Sequence, residues 1–183
     1  MKVIVAGSRD YCDPTWVSFA IADSGFQLTE LVHGDCDGVD RTAAALYKEK
    51  AESGEITIAP FPAQWSIFGN EAGPIRNHQM AQYADVLVLI WDGPRAKKKS
   101  GSRLMLKFMK DEGKPIKEYH IQPDGTLKPV NQSGGVFTLT LQQLNQLAAA
   151  TAKRPLPDWD DDDDWTDDST DDDFSHLLPK DWE

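Results

Sequence analysis

Residues 85–92 read DVLVLIWD, six consecutive apolar side chains held between two aspartates. The run is far too short for a bilayer, which takes about 20 apolar residues. Its alternate positions are all apolar, so both of its faces are buried. A strand with two buried faces belongs inside a parallel sheet covered by helices on each side. The neighbouring sequence supplies those helices. Downstream, a helix is expected from Gly101 to Glu112, closed by Gly113, and then a fifth strand at 114–121 (KPIKEYHI). Upstream, a helix runs from Pro74 to Tyr83, behind an irregular stretch at 62–74 (PAQWSIFGNEAGP).

The same alternation extends to the start of the chain. KVIVA at 2–6 is a buried strand, Asp13 an N-cap with Pro14 at the first helical position, and Gly25 the stop of a helix ending near Ser24. TELVH at 29–33 is the second strand, 40–53 the second helix before Gly54, and EITIAPF at 55–61 the third strand. Strands and helices alternating at this spacing predict an α/β fold, a Rossmann-like three-layer sandwich on a parallel sheet. Ligands in such sheets bind at the carboxyl ends of the strands, where the strand order switches. The unusual turns fall there: GSRD at 7–10, HGDCDG at 33–38, FPAQW at 61–65 and WDGPRAKKKSGS at 91–102.

Beyond the sheet, 121–130 reads as a hairpin around Pro123-Asp124-Gly125. Leu141, Leu144 and Leu147 form one stripe of an expected helix at 138–153, so 121–154 is a hairpin and helix extension to a domain at 1–120. From Pro155 the composition turns to aspartate with isolated aromatics, and disorder is expected for 155–183. The net charge of −11 belongs to this tail. Residues 155–183 hold thirteen acidic residues and one lysine, which leaves seventeen acidic and eighteen basic residues in 1–154.

Two cysteines, Cys12 and Cys36, with no signal peptide or long apolar run, fit a reduced cytoplasmic protein without membrane contact. Eleven aspartates at 158–173 interleaved with Trp159, Trp165 and Phe174 have two readings. Residues 158–183 either dock on a basic protein partner or cover the domain's own lysines. Both oppose direct nucleic-acid binding, because the tail repels phosphates.

Several turns carry candidate chemistry. Gly7 lets the backbone approach a ligand, and Ser8 and Arg9 donate to a phosphate; the alternative is an ordinary first-strand turn. In GPIRNHQM at 73–80, Pro74 at the helix start would put Arg76 and Asn77 beside free N–H groups, as an anion clamp or a surface ion pair. His78 reads as an exposed helix residue without metal spacing, and no cofactor is implied. Gly101 and Ser102 open a helix behind Lys97, Lys98, Lys99 and Arg103, suited to a phosphate. Trp65 and Trp91 are candidates for stacking on a base, with a core role equally open for Trp91. Asp35, Asp37 and Asp40 share one helix mouth: Asp37 reads as a cap or turn residue, and Asp35 is open between turn, metal and acid–base roles.

In order, VIVAGSRDY, ELVHGDCDGVDRTAA, the stretch from FPAQW to WDG, SGSRLM and GKPI resemble the SLOG superfamily over residues 1–120. More narrowly they resemble its small bacterial and phage members of the YspA/YpsA-related kind. The resemblance implies a Rossmann-like pocket for a nucleotide or nucleotide-derived ligand. The superfamily includes cytokinin-activating phosphoribohydrolases, DNA-uptake proteins and sensor domains for NAD-derived signals. Carried over, Gly7, Ser8 and Arg9 match the first ligand motif, Gly34, Gly38 and Asp40 the second, and Arg76 and Asn77 the third. Gly101 and Ser102 match the final phosphate turn, where threonine is usual. Asp40 would then touch a ribose hydroxyl or orient Arg9 or Arg76.

The hydrolase branch of the superfamily carries PGGxGTxxE at the last turn, and this chain has Met105 at that glutamate. A thioether exchanges no proton at neutral pH, so the branch's acid–base device is missing. The resulting expectation is a binder, a sensor or a sequestering protein of the kind phages direct against host defence signals. The alternatives are a hydrolase of an N-glycosidic or phosphate bond in a nucleotide derivative, using Asp40 or Asp35 with Arg76, and an interaction protein acting through its tail. Members of the superfamily often self-associate, so a homo-oligomer is expected.

Overall fold

A computed structural model describes residues 1–130; the readings for 138–153 and for the acidic tail lie outside the described residues. The sheet has six strands: β1 (Lys2–Gly7), β2 (Glu30–His33), β3 (Thr57–Pro60), β4 (Val86–Trp91), β5 (Ile116–Ile121) and β6 (Leu127–Pro129). Their order is β3-β2-β1-β4-β5-β6, parallel except for the last pair. Every β4 residue is buried, as its unbroken apolar run requires.

Strand periodicity divides the core in two. Val3 and Val5 of β1 face one side, packing with Val17 and Ile21 of α1 (Pro14–Asp23) and Val39 and Ala43 of α2 (Val39–Glu52). Ile4 and Ala6 face the other side, where Leu87 and Leu89 of β4 also point. That side is covered by Met80 of a second-half helix, and by Met105 and Met109 of the last one. A short helical turn, α3 (Trp65–Phe68), runs through a 3₁₀ turn into α4 (Ala72–Tyr83), and α5 (Gly101–Asp111) completes the layer. The result is the three-layer α/β sandwich expected from the sequence.

Local signals hold at the helix ends. Asp13 Oδ1 accepts from the N–H groups of Thr15 at 2.9 Å and Trp16 at 3.2 Å, so the cap and Pro14 start α1. The hairpin also forms: Gln122 N donates to Thr126 O at 2.8 Å, and β6 extends the sheet antiparallel to β5. Two expectations need correction. The stretch at 65–71 is helical, and α4 starts at Ala72, before Pro74. Arg76 and Asn77 therefore sit in its second turn, beyond the first-turn N–H groups of α4 itself. Of the two readings of Asp37 the turn residue holds and the cap does not: it stands in the turn before α2, Gly38 is the N-cap residue without a side-chain bond, and Asp37 pairs with Arg41 one turn on.

Candidate functional site

Strand order reverses between β1 and β4, and a cavity of about 770 Å³ opens there at the carboxyl ends. Three turns and a helix start form it. Gly7, Ser8 and Arg9 come from the end of β1, Gly34 and Asp40 from the turn into α2, Trp65, Arg76 and Asn77 from α3 and α4, and Gly101 and Ser102 from α5. Asp35 and Gly38 stand outside its lining. A smaller hollow of about 360 Å³ lies between Ile21, Phe26, Leu28, Tyr47 and Ile56. Leu28 and Ile56 precede β2 and β3, so that hollow sits at the amino ends, opposite to where α/β sheets hold ligands.

The turn after β2 is the most constrained part of the site. Asp40 is 5% exposed, and its Oδ2 accepts from the Gly34 N–H at 2.8 Å. Burial pushes its carboxyl up to about 6, against the opposing pull of the Arg76 charge and the N–H groups of Gly34, Cys36 and Gly7. Asp40 thus latches the second turn to the end of β1. Arg76, also buried, grips the same turn from the other side: Nη1 donates to the carbonyls of Gly34 and of Phe61, and Nη2 to Cys36 Sγ at 3.4 Å. Nε donates to Asn77 Oδ1 at 2.9 Å, and Asn77 Nδ2 donates to Gly101 O at 3.1 Å. One arginine and one asparagine therefore tie the ends of β2 and β3 to the first turn of α5.

The glycines serve this packing. A Cβ on Gly34 would strike the Arg76 guanidinium and come within 3.0 Å of Asp40 Oδ2. Gly38, at φ +73°, lies against the carbonyls of Ser8 and Arg9, where a side chain has no room. Asp35 takes a left-handed backbone (φ 55°) and pairs with Arg41 at 3.5 Å on the outer side of the turn. Its N–H donates to His33 Nδ1 at 3.1 Å, and burial holds that imidazole below its usual range. The three aspartates of the turn are thus divided between one inward latch and two outward partners of Arg41. Among the described residues, no three His, Cys, Asp or Glu side chains gather as a metal site. Both cysteines are free.

The opposite wall comes from the loop between β4 and α5. Ser100 caps α5, accepting from Arg103 N at 3.2 Å, and Leu104 N donates to Ser100 O at 3.1 Å, so in this first turn Gly101 and Ser102, both in the cavity lining, keep N–H groups without an intrahelical acceptor. Trp91 is a core residue that also lines the cavity: it is 3% exposed, its Nε1 donates to Glu118 Oε1 at 2.8 Å, and the Arg103 guanidinium lies 5.1 Å over its ring. Trp65 is only half-buried and keeps a face towards the cavity. Met105 is buried and lines the floor. His78 is half-buried against the Phe108 ring, 5.1 Å between centroids, so it is a packing residue and not an exposed one.

The lining includes Asp10, Cys36, Asp92 and Pro94, which the sequence reading did not select. Asp10 and Asp92 lie within the turns that follow β1 and β4, and strand-end position is the signal that would have found them. No protein-family model and no curated protein matches this chain. Among the described residues, no helix is long and apolar enough to cross a membrane.

Proposed function

We propose that the carboxyl-end cavity binds a nucleotide or nucleotide-derived anion, and that the protein holds this ligand as a sensor or sequestering protein in the manner of the SLOG superfamily. One observation carries the reading. At the β1–β4 switch point, the N-terminal turn of α5 faces the same cavity as Arg9, Lys97, Lys98, Lys99, Arg103 and Lys107, against three carboxylates, Asp10, Asp40 and Asp92. Cations and oriented N–H groups together select an anion, and Trp65 offers a flat apolar face for a base. The buried Met105 supports holding over cutting, since it supplies no proton where the hydrolase branch places glutamate.

A second reading, glycosidic hydrolysis, is favoured by one feature. Asp40 lines the cavity with its carboxyl raised to about 6, so it exchanges its proton about one pH unit below neutrality and far above an ordinary aspartate. Against it, the Gly34 N–H already occupies Oδ2 and two further N–H groups face the carboxylate.

Thermal-shift titration with AMP, NAD, ADP-ribose and cyclic nucleotides tests the first reading. At least one should stabilise the protein, and Arg9→Ala should weaken the effect while leaving the unliganded protein folded. Stabilisation by none of them would sink the reading. Chromatography of the same ligands after prolonged incubation separates the two readings: intact ligand is expected, and turnover abolished by Asp40→Asn would favour the hydrolase.

A further inference from the structure

Lys97 and Lys98 are exposed and Lys99 half-buried, on the loop between β4 and α5, and Lys107 is exposed on α5. All four line the cavity mouth, yet none makes an ion pair with a described residue. Like charges gathered this closely repel one another unless an anion lies over them. The carboxylates of the same lining, Asp10, Asp40 and Asp92, form no ion pair with these four lysines. The chain's negative charge is concentrated elsewhere, in the eleven aspartates between 158 and 173.

We propose that this aspartate-rich segment, residues 158–173, docks in cis on the cationic mouth formed by Lys97, Lys98, Lys99 and Lys107. Reach is not limiting. Twenty-seven residues separate Val130 from Asp158, and a chain of that length extends up to about 90 Å. Tethering gives the segment a local concentration on the order of millimolar, so weak individual contacts suffice. The aromatics fit the same surface. Trp159 and Trp165 bracket Asp160–Asp164, and the mouth offers lysine ammonium groups, the half-buried Trp65 ring and the exposed Pro94. Lysines pair with indole faces as well as with carboxylates. The docking itself is independent of the ligand reading above.

Amine acetylation of the full chain, followed residue by residue by mass spectrometry without ligand, tests the docking. The comparison is with a full-length variant in which all eleven aspartates from Asp158 to Asp173 become asparagine. Lys97, Lys98 and Lys99 should react several-fold faster in the variant, while Lys48 on α2, with a 60% exposed side chain, should react equally in both. Raising the salt from about 0.1 M to about 1 M, which shortens the screening length from roughly 10 Å to 3 Å, should speed the same three lysines in the unmodified chain. Protection should not change with protein concentration. Equal rates in the two chains would overturn the proposal. Protection that grows with concentration would also overturn it, by assigning the segment to a second copy.

Discussion

Gly34 is held from both sides: its N–H points at Asp40 and its carbonyl at Arg76, and the space a side chain would need is already filled. Gly34→Ala should therefore cost about 1–3 kcal/mol by overpacking, read as a lower urea midpoint, although alanine strands and turns are common elsewhere. An unchanged midpoint would mean that Arg76 moves freely and is no tie. Asp40 gives the same turn a pH dependence. Its carboxyl is raised from an ordinary 3.8 to about 6, so the folded state keeps a proton that the unfolded chain has lost. Its contribution is fully present below about pH 4 and declines by roughly 3 kcal/mol as pH rises through 6. His33 acts in the opposite sense: burial lowers its pKa, so its contribution is present at neutral pH and is lost as pH falls through the histidine range. Asp40→Asn should flatten the loss of stability between pH 4 and 6, measured by urea unfolding at stepped pH. A slope identical to that of the parent would show that Asp40 is not the titrating group. The sequence pointed to Asp40 and Arg76 as site residues, but not to their shared hold on Gly34. Contacts between residues 42 positions apart leave no local pattern.

At the scale of elements, short-range chemistry was readable and long-range termination was not. Asp13-Pro14 announces α1 because cap and first turn are neighbours in sequence. Pro14 is a true helix start, whereas Pro74 stands in the third position of α4, because the helical turns at 65–71 deliver the chain already wound. β3 is shorter than its alternating sequence, since Glu55 and Ile56 donate their N–H groups to Lys50 O and belong to the turn after α2. Ser100 is the cap of α5 and was hidden inside a lysine-rich loop. Ser100→Ala should lower stability by about 1 kcal/mol, and Asp13→Ala by a similar amount, both read from urea midpoints. Ser100 differs in standing at the cavity wall, so its loss should also weaken any anion that stabilises the protein. Equal anion stabilisation in Ser100→Ala and the parent would remove α5 from the binding surface.

For the whole molecule, ligand stabilisation is the decisive quantity. A nucleotide at about 100 times its Kd adds about 2.7 kcal/mol to the folded state, a Tm rise of several degrees, while adenosine, lacking phosphate, should add far less. Equal shifts with adenosine and AMP would place the recognition on the base and leave the cationic wall unexplained. The residue sequence alone determined the alternation of strands and helices, the burial of β4 on both faces and the position of each special turn at a strand's carboxyl end. Those properties follow from periodicity, caps and glycine stops, which act over a few residues. Only the tertiary structure decided that β1 pairs with β4, Val3 opposite Val86, and so made the ends of those strands into one cavity. It also turned Arg76 and Asn77 from surface donors into buried ties, and sent Asp40 inward while Asp35 and Asp37 turned out to Arg41. Such choices depend on which distant segments pack together and which polar atoms that packing removes from water, and burial of that kind has no local signature.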